Sequence, residues 1–255
     1  MRALRRIRPG LLVGFSAALL LAAAAGATPL TGLRVCADPD NLPFSSKDPG
    51  APGFEIELAR ALIADVTFHW VPTYRWPIVR KELLDRRCDL FLGLPLDPRF
   101  ADDNRRLALS RPYYVMGQVL VARAGEGIRR LEDLQGRAVG VEAATAGDIL
   151  VARRGGERRV YATPAETFEA VRAWKVDAAV MASPQAGWSA RKLPGFELHR
   201  VRDPEGEFQV AIGMRREDRD LKAAVDRALE RLVDNGKVDE ILARYGVPRI
   251  AAGGR

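Results

Sequence analysis

Aromatic side chains follow the first two predicted strands of the chain. Phe44 lies just past the turn residues 38–41, which end the first strand, and Tyr74 and Trp76 lie in the loop after the second strand. In an open α/β sheet, ligands bind beyond the carboxyl ends of the strands. We therefore predict that Phe44 and Trp76 form part of a cleft wall or a partner surface, with loop packing as the alternative.

An arginine-rich segment follows the third predicted strand. It contains Arg99, Arg105 and Arg106. An arginine can hold an anionic group through two parallel hydrogen bonds, whereas a charge in a segment of mixed sign is often merely solvated. Arg99 is our candidate for an anion ligand in the cleft, and the sequence leaves open whether Arg105 or Arg106 takes that place.

Small residues after later strands add further cleft candidates. Thr145 lies in a small-residue loop that precedes a predicted helix. Backbone N–H groups at such a helix start can bind an anion, and an ordinary N-cap is the equal alternative for Thr145. We expect the neighbouring Glu142 to be solvated rather than to line the cleft. The predicted cleft set is Phe44, Trp76, Leu94, Arg99, Ala144, Thr145 and Pro184.

No arrangement typical of catalysis or of metal binding stands out in the sequence. His69 lies within a strand pattern and is predicted to be structural, and His199 is predicted to be exposed. Two separated histidines do not make a zinc site, and no nucleophile is paired with a base in a recognisable pattern. We therefore predict a protein that is not an enzyme and that uses no cofactor or metal.

The elements that would position these residues form two similar units. In the first unit, strands at 33–37, 66–71 and 89–92 alternate with helices. Residues 115–122 are predicted as one long strand that leaves this unit. The order β-α-β-α-β is typical of a doubly wound sheet.

The second unit repeats this order. Its strands are predicted at 138–141, 159–161 and 177–181, and a helix opens at Thr163 as N-cap, with Pro164 in its first turn. The segment 208–214 returns the chain to the first unit, and two C-terminal helices follow. Two lobes joined by two crossing strands would make a hinged clamp with a cleft between them.

The N-terminus has the pattern of a signal peptide. Residues 1–27 combine an arginine-bearing start, an apolar run at 11–25 and small residues at the expected cleavage point. An uncleaved membrane anchor is the alternative. We expect an exported chain in which lobe 1 covers 28–120, lobe 2 covers 121–206, and 207–255 returns to lobe 1.

Charge and cysteine content narrow the function classes. The net charge is +7, and four of those charges lie in the signal, which leaves too little to indicate nucleic-acid binding. Cys36 lies in the first strand and Cys88 opens the third. Exported proteins enter an oxidising environment in which cysteines form disulfides. We therefore predict a Cys36–Cys88 disulfide, with two buried thiols as the alternative.

The order of motifs resembles the periplasmic solute-binding proteins of family 3. The resemblance covers nearly the whole mature chain and rests on LRVCADPDNLPFS, GFEIELARAL, CDLFLG with SRPYY, LEDLQGRAVGVEAATAG, VDAAVMASPQAGW and the C-terminal IGMRREDRDLKAAVDRALERLVDNGKVDEILARYGV. It implies a two-lobe α/β periplasmic-binding-protein fold of type II. Each lobe would be a doubly wound sheet, and two strands would form the hinge.

Two positions depart from the amino-acid-binding members of that family. Such members usually hold the ligand carboxylate with an arginine in a Thr-x-x-Arg setting, where this chain has Leu96 ahead of Arg99. They usually pair the ligand ammonium with an Asp, where this chain has Ala182. A desolvated ammonium without a counter-charge is costly. The resemblance therefore does not imply a standard amino-acid receptor.

A narrower resemblance is to the quinoprotein-dehydrogenase-associated proteins of the MoxJ/XoxJ type. It rests on the two cysteines, the RPYY turn and the SPQAGW segment. It implies a periplasmic accessory of a pyrroloquinoline-quinone-dependent methanol or alcohol dehydrogenase. A receptor that delivers a small polar or amino-acid-like solute to an ABC permease is the alternative. A dehydratase, as found among a few family relatives, is disfavoured because no catalytic pair stands out.

Overall fold

The computed structural model describes residues 30–72, 76–96, 100, 104–143, 145–203 and 206–247. The expected signal peptide lies outside these residues. Within them, no helix combines the length and the apolar character needed to cross a membrane.

The described strands and helices follow the predicted alternation. The strands are β1 Leu30–Thr31, β2 Arg34–Ala37, β3 Asp40–Asn41, β4 Ser45–Ser46, β5 Ile63–Ala64, β6 Thr67–Trp70, β7 Leu90–Pro95, β8 Leu107–Leu109, β9 Tyr114–Met116, β10 Gln118–Arg123, β11 Ala138–Glu142, β12 Glu157–Tyr161, β13 Ala178–Ala182, β14 Phe196–Arg200 and β15 Phe208–Arg215. The α-helices are α1 Phe54–Leu62, α2 Trp76–Leu84, α3 Ala146–Arg154, α4 Pro164–Arg172, α5 Ser183–Ala190, α6 Arg219–Asp234 and α7 Lys237–Arg244, and Leu131–Leu134 is a 3-10 helix.

The first sheet has the strand order β6-β2-β7-β15-β8, with β9 also paired to β15. Strands β6, β2 and β7 are parallel, and β15 runs antiparallel to β7. Helices α1, α6 and α7 cover one face with a core that includes Phe54, Leu229 and Ile241. Helix α2 covers the other face through Val79 and Leu83. Both faces are therefore buried, as in a doubly wound sheet.

The second sheet has the strand order β12-β11-β13-β10-β14. Strands β12, β11 and β13 are parallel, and β10 pairs antiparallel with β13 and β14. Leu134 and Val151 belong to the core on one face, and Phe168 and Val171 belong to the core on the other. The two sheets with their helices confirm the predicted α/β fold of two lobes, each a doubly wound sheet.

Helix α4 begins as the local sequence predicts. Thr163 is its N-cap, and the Thr163 hydroxyl accepts the Glu166 N–H at 3.1 Å. The Glu166 carboxylate reaches back to the Ala162 N–H at 3.0 Å. Pro164 lies in the first turn, where a missing N–H costs no helical bond.

The chain crosses between the sheets at Gly117, which corrects the single long strand predicted for 115–122. Met116 pairs with Phe208 in the first sheet, whereas Gln118 pairs with Ala182 in the second. The Gly117 N–H donates to the Ser183 hydroxyl at 3.3 Å, and the Ser183 N–H donates to the Gly117 carbonyl at 2.8 Å. These bonds replace a strand ladder at the crossing. The crossing is not evident from the sequence, because residues 115–122 are mostly apolar.

The predicted disulfide joins Cys36 to Cys88, and both cysteines are buried. Their Cα atoms lie 5.5 Å apart. The bond is possible because β2 and β7 are neighbours, with Val35 opposite Leu90 and Cys36 opposite Phe91. It ties together two central strands of the first sheet.

Candidate functional site

The loop that carries Phe44 is held by the start of helix α1. The first two helical N–H groups, of Phe54 and Glu55, donate to the carbonyls of Pro43 and Phe44 at 2.8 and 2.9 Å. These loop carbonyls satisfy donors that a helix start leaves open. Gly53 has φ 94°, and a Cβ there would lie 2.3 Å from the Phe44 carbonyl oxygen. Only glycine allows this approach, so the sequence Gly-Phe-Glu fixes the position of Phe44.

A cavity of about 680 Å³ lies beyond the carboxyl ends of β2 and β7. This volume is within the range of small-molecule sites, roughly 300–1,000 Å³. The crossing strands contribute Met116 and Phe208, and the second lobe contributes Gln185 from α5. The described lining residues are Asp38, Pro39, Asp40, Asn41, Phe44, Glu55, Pro72, Phe91, Leu92, Gly93, Leu94, Pro95, Phe100, Met116, Gln185 and Phe208.

The described lining is aromatic and aliphatic, with a few polar groups. Four phenyl rings and two leucines form much of the wall. The polar side chains are carboxyls and amides, and none of the described lining residues is Lys, Arg or His. The described wall therefore offers hydrogen-bond acceptors and apolar surface, but no cation for a ligand carboxylate.

Glu55 is buried in the wall of this cavity. The Tyr113 hydroxyl hydrogen-bonds its carboxyl, and the same hydroxyl accepts the Gly93 N–H at 3.1 Å. The Glu55 Oε1 has no hydrogen-bond partner among the described residues. Burial raises the pKa of Glu55 to about 8, partly offset by the Tyr113 bond. At neutral pH the carboxyl is mostly protonated, so it can donate a hydrogen bond as well as accept one.

Gly93 makes room for the Glu55 carboxyl. A Cβ at position 93 would lie 2.6 Å from Glu55 Oε1, and Gly93 has φ 88°. Any side chain at this point would be strained and would collide with the carboxyl. Glu55 and Gly93 therefore act as a matched pair in the cavity wall.

A smaller pocket on the second lobe adjoins the main cavity, and Gln185 lines both of them. Thr145 lines the small pocket and is the N-cap of α3, because its Oγ1 accepts the Asp148 N–H at 3.3 Å and donates to the Glu142 carbonyl at 2.8 Å. Glu142 is half-buried there, and burial raises its pKa. Gln185 Oε1 has no hydrogen-bond partner in the described part of the chain.

The structure brings together some of the predicted cleft residues. Phe44 and Leu94 line the main cavity, and Thr145 lines the small pocket. Pro184 is buried in the first turn of α5 and lines neither pocket, whereas its neighbour Gln185 faces both. In this turn of α5, Gln185 rather than Pro184 is therefore the residue that a ligand in the cleft could contact.

Other predicted residues lie elsewhere or outside the description. Arg99, Ala144 and Tyr74 lie outside the described residues, and of Trp76 only its place at the start of α2 is described. Arg105 and Arg106 line a separate pocket away from the main cavity.

The two histidines are held by carboxylates. His69 Nε2 lies 2.8 Å from Glu82, and His199 Nε2 lies 3.0 Å from Glu197. His199 is half-buried rather than exposed, because it lies on β14 beside β10. Among the described residues no group of His, Cys, Asp and Glu has the arrangement of a metal site.

Several residues that line the cavity were not predicted from the sequence. Glu55 occupies the first turn of α1, where an acid normally complements the helix dipole, so its burial has no local signal. Asp38 also lines the cavity, but in the sequence it is recognisable only as a turn residue after the first strand. Met116 and Phe208 face each other across the crossing strands. Recognising Gly117 as a break in the long apolar run would have found this pair.

Comparison with known proteins places this geometry in a family. Residues 33–248 match the family described as bacterial extracellular solute-binding proteins, family 3. Protein MoxJ of Methylorubrum extorquens is 30% identical in an alignment 266 positions long, which covers 89% of this chain and 84% of MoxJ. The arginine-binding extracellular protein ArtP of Bacillus subtilis is 25% identical over 224 residues, covering 81% of this chain and 82% of ArtP.

Solved structures give the same result. The periplasmic binding protein XoxJ from Methylobacterium extorquens AM1 superposes with a TM-score of 0.68 at 26% identity, covering 87% of this chain and 100% of XoxJ. Together with MoxJ, it confirms the resemblance to the MoxJ/XoxJ-like branch that the sequence motifs indicate.

Proposed function

The chain belongs to the bacterial extracellular solute-binding proteins, family 3, and we propose that it is a periplasmic, non-catalytic accessory of a pyrroloquinoline-quinone-dependent methanol or alcohol dehydrogenase. The observation that carries the proposal is the 30% identity to MoxJ over 89% of the chain. The resemblance to that branch implies the dehydrogenase partner. ArtP and XoxJ are both named as binding proteins, which supports the non-catalytic role.

The composition of the cleft supports a role other than the capture of amino acids. Ala182 lies at the end of β13, where amino-acid-binding members usually place an Asp, and it lines the small pocket. The nearby Glu142 is half-buried, and burial raises its pKa, so it is a weak replacement for that Asp. The described wall of the main cavity carries no cation to hold an α-carboxylate. The carboxylate of a zwitterion would therefore find no counter-charge among the described residues of that wall.

A pull-down tests this proposal directly. The tagged chain from residue 28 onward is incubated with native periplasm and membranes, and the bound proteins are identified by mass spectrometry. Tagged ArtP is the matched control, since it belongs to the same set of relatives but is named for arginine binding. We expect a quinoprotein dehydrogenase on this chain and not on ArtP. Recovery of an ABC permease without any dehydrogenase would contradict the proposal.

The second candidate is a receptor that delivers a small polar or amino-acid-like solute to an ABC permease. It is favoured by the likeness to ArtP and by the unpartnered oxygens of Glu55 and Gln185 at the cavity. A ligand at one hundred times its Kd stabilises a protein by about 2.7 kcal/mol, which is readily seen as a higher Tm. A panel of small acids, amines and amino acids should therefore give at least one clear shift.

The variant Gln185→Ala separates cleft binding from nonspecific stabilisation. A cleft ligand should lose part of its effect on the Tm in this variant, because Gln185 lines both pockets. If no compound in the panel raises the Tm of the unmodified protein, the receptor function loses its support.

A further inference from the structure

A second pocket, separate from the cleft, is lined almost entirely by arginines. It encloses about 300 Å³ and shares no lining residue with the main cavity. Its described lining is Leu84, Arg105, Arg106, Arg215, Arg216, Glu217 and Arg219. Five arginines and one glutamate therefore line a space large enough for a small ligand.

The edge of the first sheet brings these arginines together. Strand β8 pairs antiparallel with the end of β15, so that Leu107 lies opposite Arg215. The Arg216 N–H continues this ladder by donating to the Arg106 carbonyl at 2.9 Å. Residues 105–106 and 215–216 thus lie side by side, although more than one hundred positions separate them in the chain. Arg219 follows at the start of α6.

The buried member of the group, Arg215, has a structural role. Its guanidinium donates to the carbonyls of Leu83 and Cys88 at 2.9 and 2.8 Å. It also lies 3.0 Å from an Asp89 carboxylate oxygen and 2.7 Å from an Asp218 carboxylate oxygen. Arg215 is therefore held by two backbone carbonyls and two carboxylates, and it is not the group that would bind a ligand.

The acids around the pocket are already committed to other cations. Glu217, the one acid in the lining, forms an ion pair with Arg86. Asp85 pairs with Lys81. The hydrogen bond from Lys81 is the main cause that lowers the pKa of Asp85, and the charge of Arg106 is the last of the contributing causes. Neither carboxylate is free to neutralise the pocket.

Four exposed arginines remain, namely Arg105, Arg106, Arg216 and Arg219. Within the described part of the chain, none of them has a carboxylate at ion-pair distance. Arg216 makes one side-chain bond, from Nε to the Leu107 carbonyl at 3.3 Å. Like charges that line one small pocket repel one another, and an anion placed between them reduces that repulsion. The planar guanidinium fork fits phosphate and carboxylate oxygens in pairs.

We infer that this arginine pocket binds a small oxyanion that carries at least two negative charges, of the phosphate or clustered-carboxylate class. The inference goes beyond the proposed function, because the pocket lies outside the cleft and needs no dehydrogenase. Its expected contacts are the four exposed guanidinium groups, with Leu84 as the apolar floor. Binding should weaken as ionic strength rises, since these side chains are solvent-exposed.

The test is calorimetric titration of the purified protein with inorganic pyrophosphate and, separately, with citrate. Sodium chloride balances the ionic strength at every point. We expect saturable binding of at least one of the two anions at a single site. The double variant Arg105→Gln/Arg216→Gln should weaken that binding at least tenfold, because it removes half of the exposed guanidinium groups. The variant Arg105→Lys/Arg216→Lys should retain part of the affinity, since it keeps the charge but loses the fork.

The matched control is Arg129→Gln/Arg227→Gln, which removes two exposed arginines that do not line the pocket. This control should bind the anions like the unmodified protein, and the Tm of each variant in chloride buffer verifies folding. Absence of saturable binding to the unmodified protein would overturn the inference. So would an equal loss of affinity in the pocket variant and the control, because that result indicates general charge attraction only.

Discussion

Glu55 shows how a single side chain can acquire unusual chemistry from its surroundings. It is buried against the hydroxyls of Tyr113 and Tyr114, and burial raises the pKa of both phenols well above the usual range, with the charge of Glu55 as a second cause. No ion pair with a cation is described for its carboxyl. The neutral form of Glu55 is therefore favoured, because an isolated carboxylate in such a place would be poorly solvated.

The first prediction concerns the pH dependence of stability. Because the pKa of Glu55 is about 8 in the folded protein and near the ordinary glutamate value of 4.5 in the unfolded chain, the folded state holds a proton that the unfolded state releases between these two pH values. The stabilising contribution is complete below pH 4.5 and is lost as the pH rises towards 8. Glu55→Gln cannot ionise. Relative to the unmodified protein, its free energy of unfolding should rise by roughly 3 kcal/mol between pH 5 and pH 8.

Urea denaturation at several pH values measures this difference. Glu132→Gln, at an exposed glutamate outside both pockets, is the control and should follow the pH profile of the unmodified protein. A difference between Glu55→Gln and the unmodified protein that does not change with pH would show that Glu55 is ionised in the folded state.

At the scale of elements, a disulfide links β2 and β7, the two strands that lead into the main cavity. Cys36 lies in β2 and Cys88 just before β7, and their bond closes a stretch with a sequence separation of 52. Both strands lead into the main cavity, through Asp38 after β2 and Leu94 within β7. Arg215 reinforces the same place by bonding the Cys88 carbonyl from β15. The disulfide therefore supports the geometry of the site as well as overall stability.

The second prediction is the effect of removing this bond. The double variant Cys36→Ala/Cys88→Ala should lose about 4 kcal/mol of unfolding free energy, because the unfolded chain is no longer restricted by a closed loop of that length. Denaturation in urea measures the loss. A thiol reductant should destabilise the unmodified protein to a similar degree and leave the variant unaffected. An equal response of both proteins to the reductant would contradict the prediction.

At the scale of the whole molecule, the lobes touch through the ring pair Trp188 and Tyr245. The two rings stack at 5.7 Å, with Trp188 on α5 of the second lobe and Tyr245 just after α7 of the first. The Tyr245 hydroxyl donates to Glu57 at 2.6 Å and accepts the Gly53 N–H at 3.1 Å, which fixes the ring. Because Gln185 lies on the same helix as Trp188, this contact helps to set the position of Gln185 over the cleft.

The third prediction is that Trp188→Ala loosens the two lobes. It should lower the unfolding free energy by roughly 1–2 kcal/mol, from the lost ring pair and its partly buried surface. It should also increase the radius of gyration measured by small-angle X-ray scattering, because the stacked contact no longer holds the lobes together.

Trp174→Ala is the matched control for this prediction. Trp174 is exposed on the second lobe and contacts Arg123 rather than the first lobe. It should leave the radius of gyration unchanged. If Trp188→Ala also leaves it unchanged, the ring pair does not restrain the lobes.

The elements of this chain were largely predictable because their signals are local. Thr163, Pro164 and Glu166 define a helix start through bonds within four residues. Strand β13 was likewise predicted from an apolar run of neighbouring residues. The disulfide was predicted from the presence of two cysteines in a chain expected to be exported. Positions whose role depends on the other lobe, such as Gln185, had no such signal.

By itself, the sequence determined the α/β alternation and the family resemblance, since periodicity, caps and motifs are properties of nearby residues. It also predicted the disulfide, because a chain with two cysteines offers one pairing. Only the tertiary structure decided which side chains face the cleft, that the chain crosses at Gly117, and that Glu55 is buried beside Gly93. It also placed Arg105 and Arg106 beside Arg216 in a separate pocket, whereas the sequence left open that one of them binds an anion in the cleft. Such contacts join residues far apart in the chain. Their energies depend on burial and distance in the folded state, which no local pattern encodes.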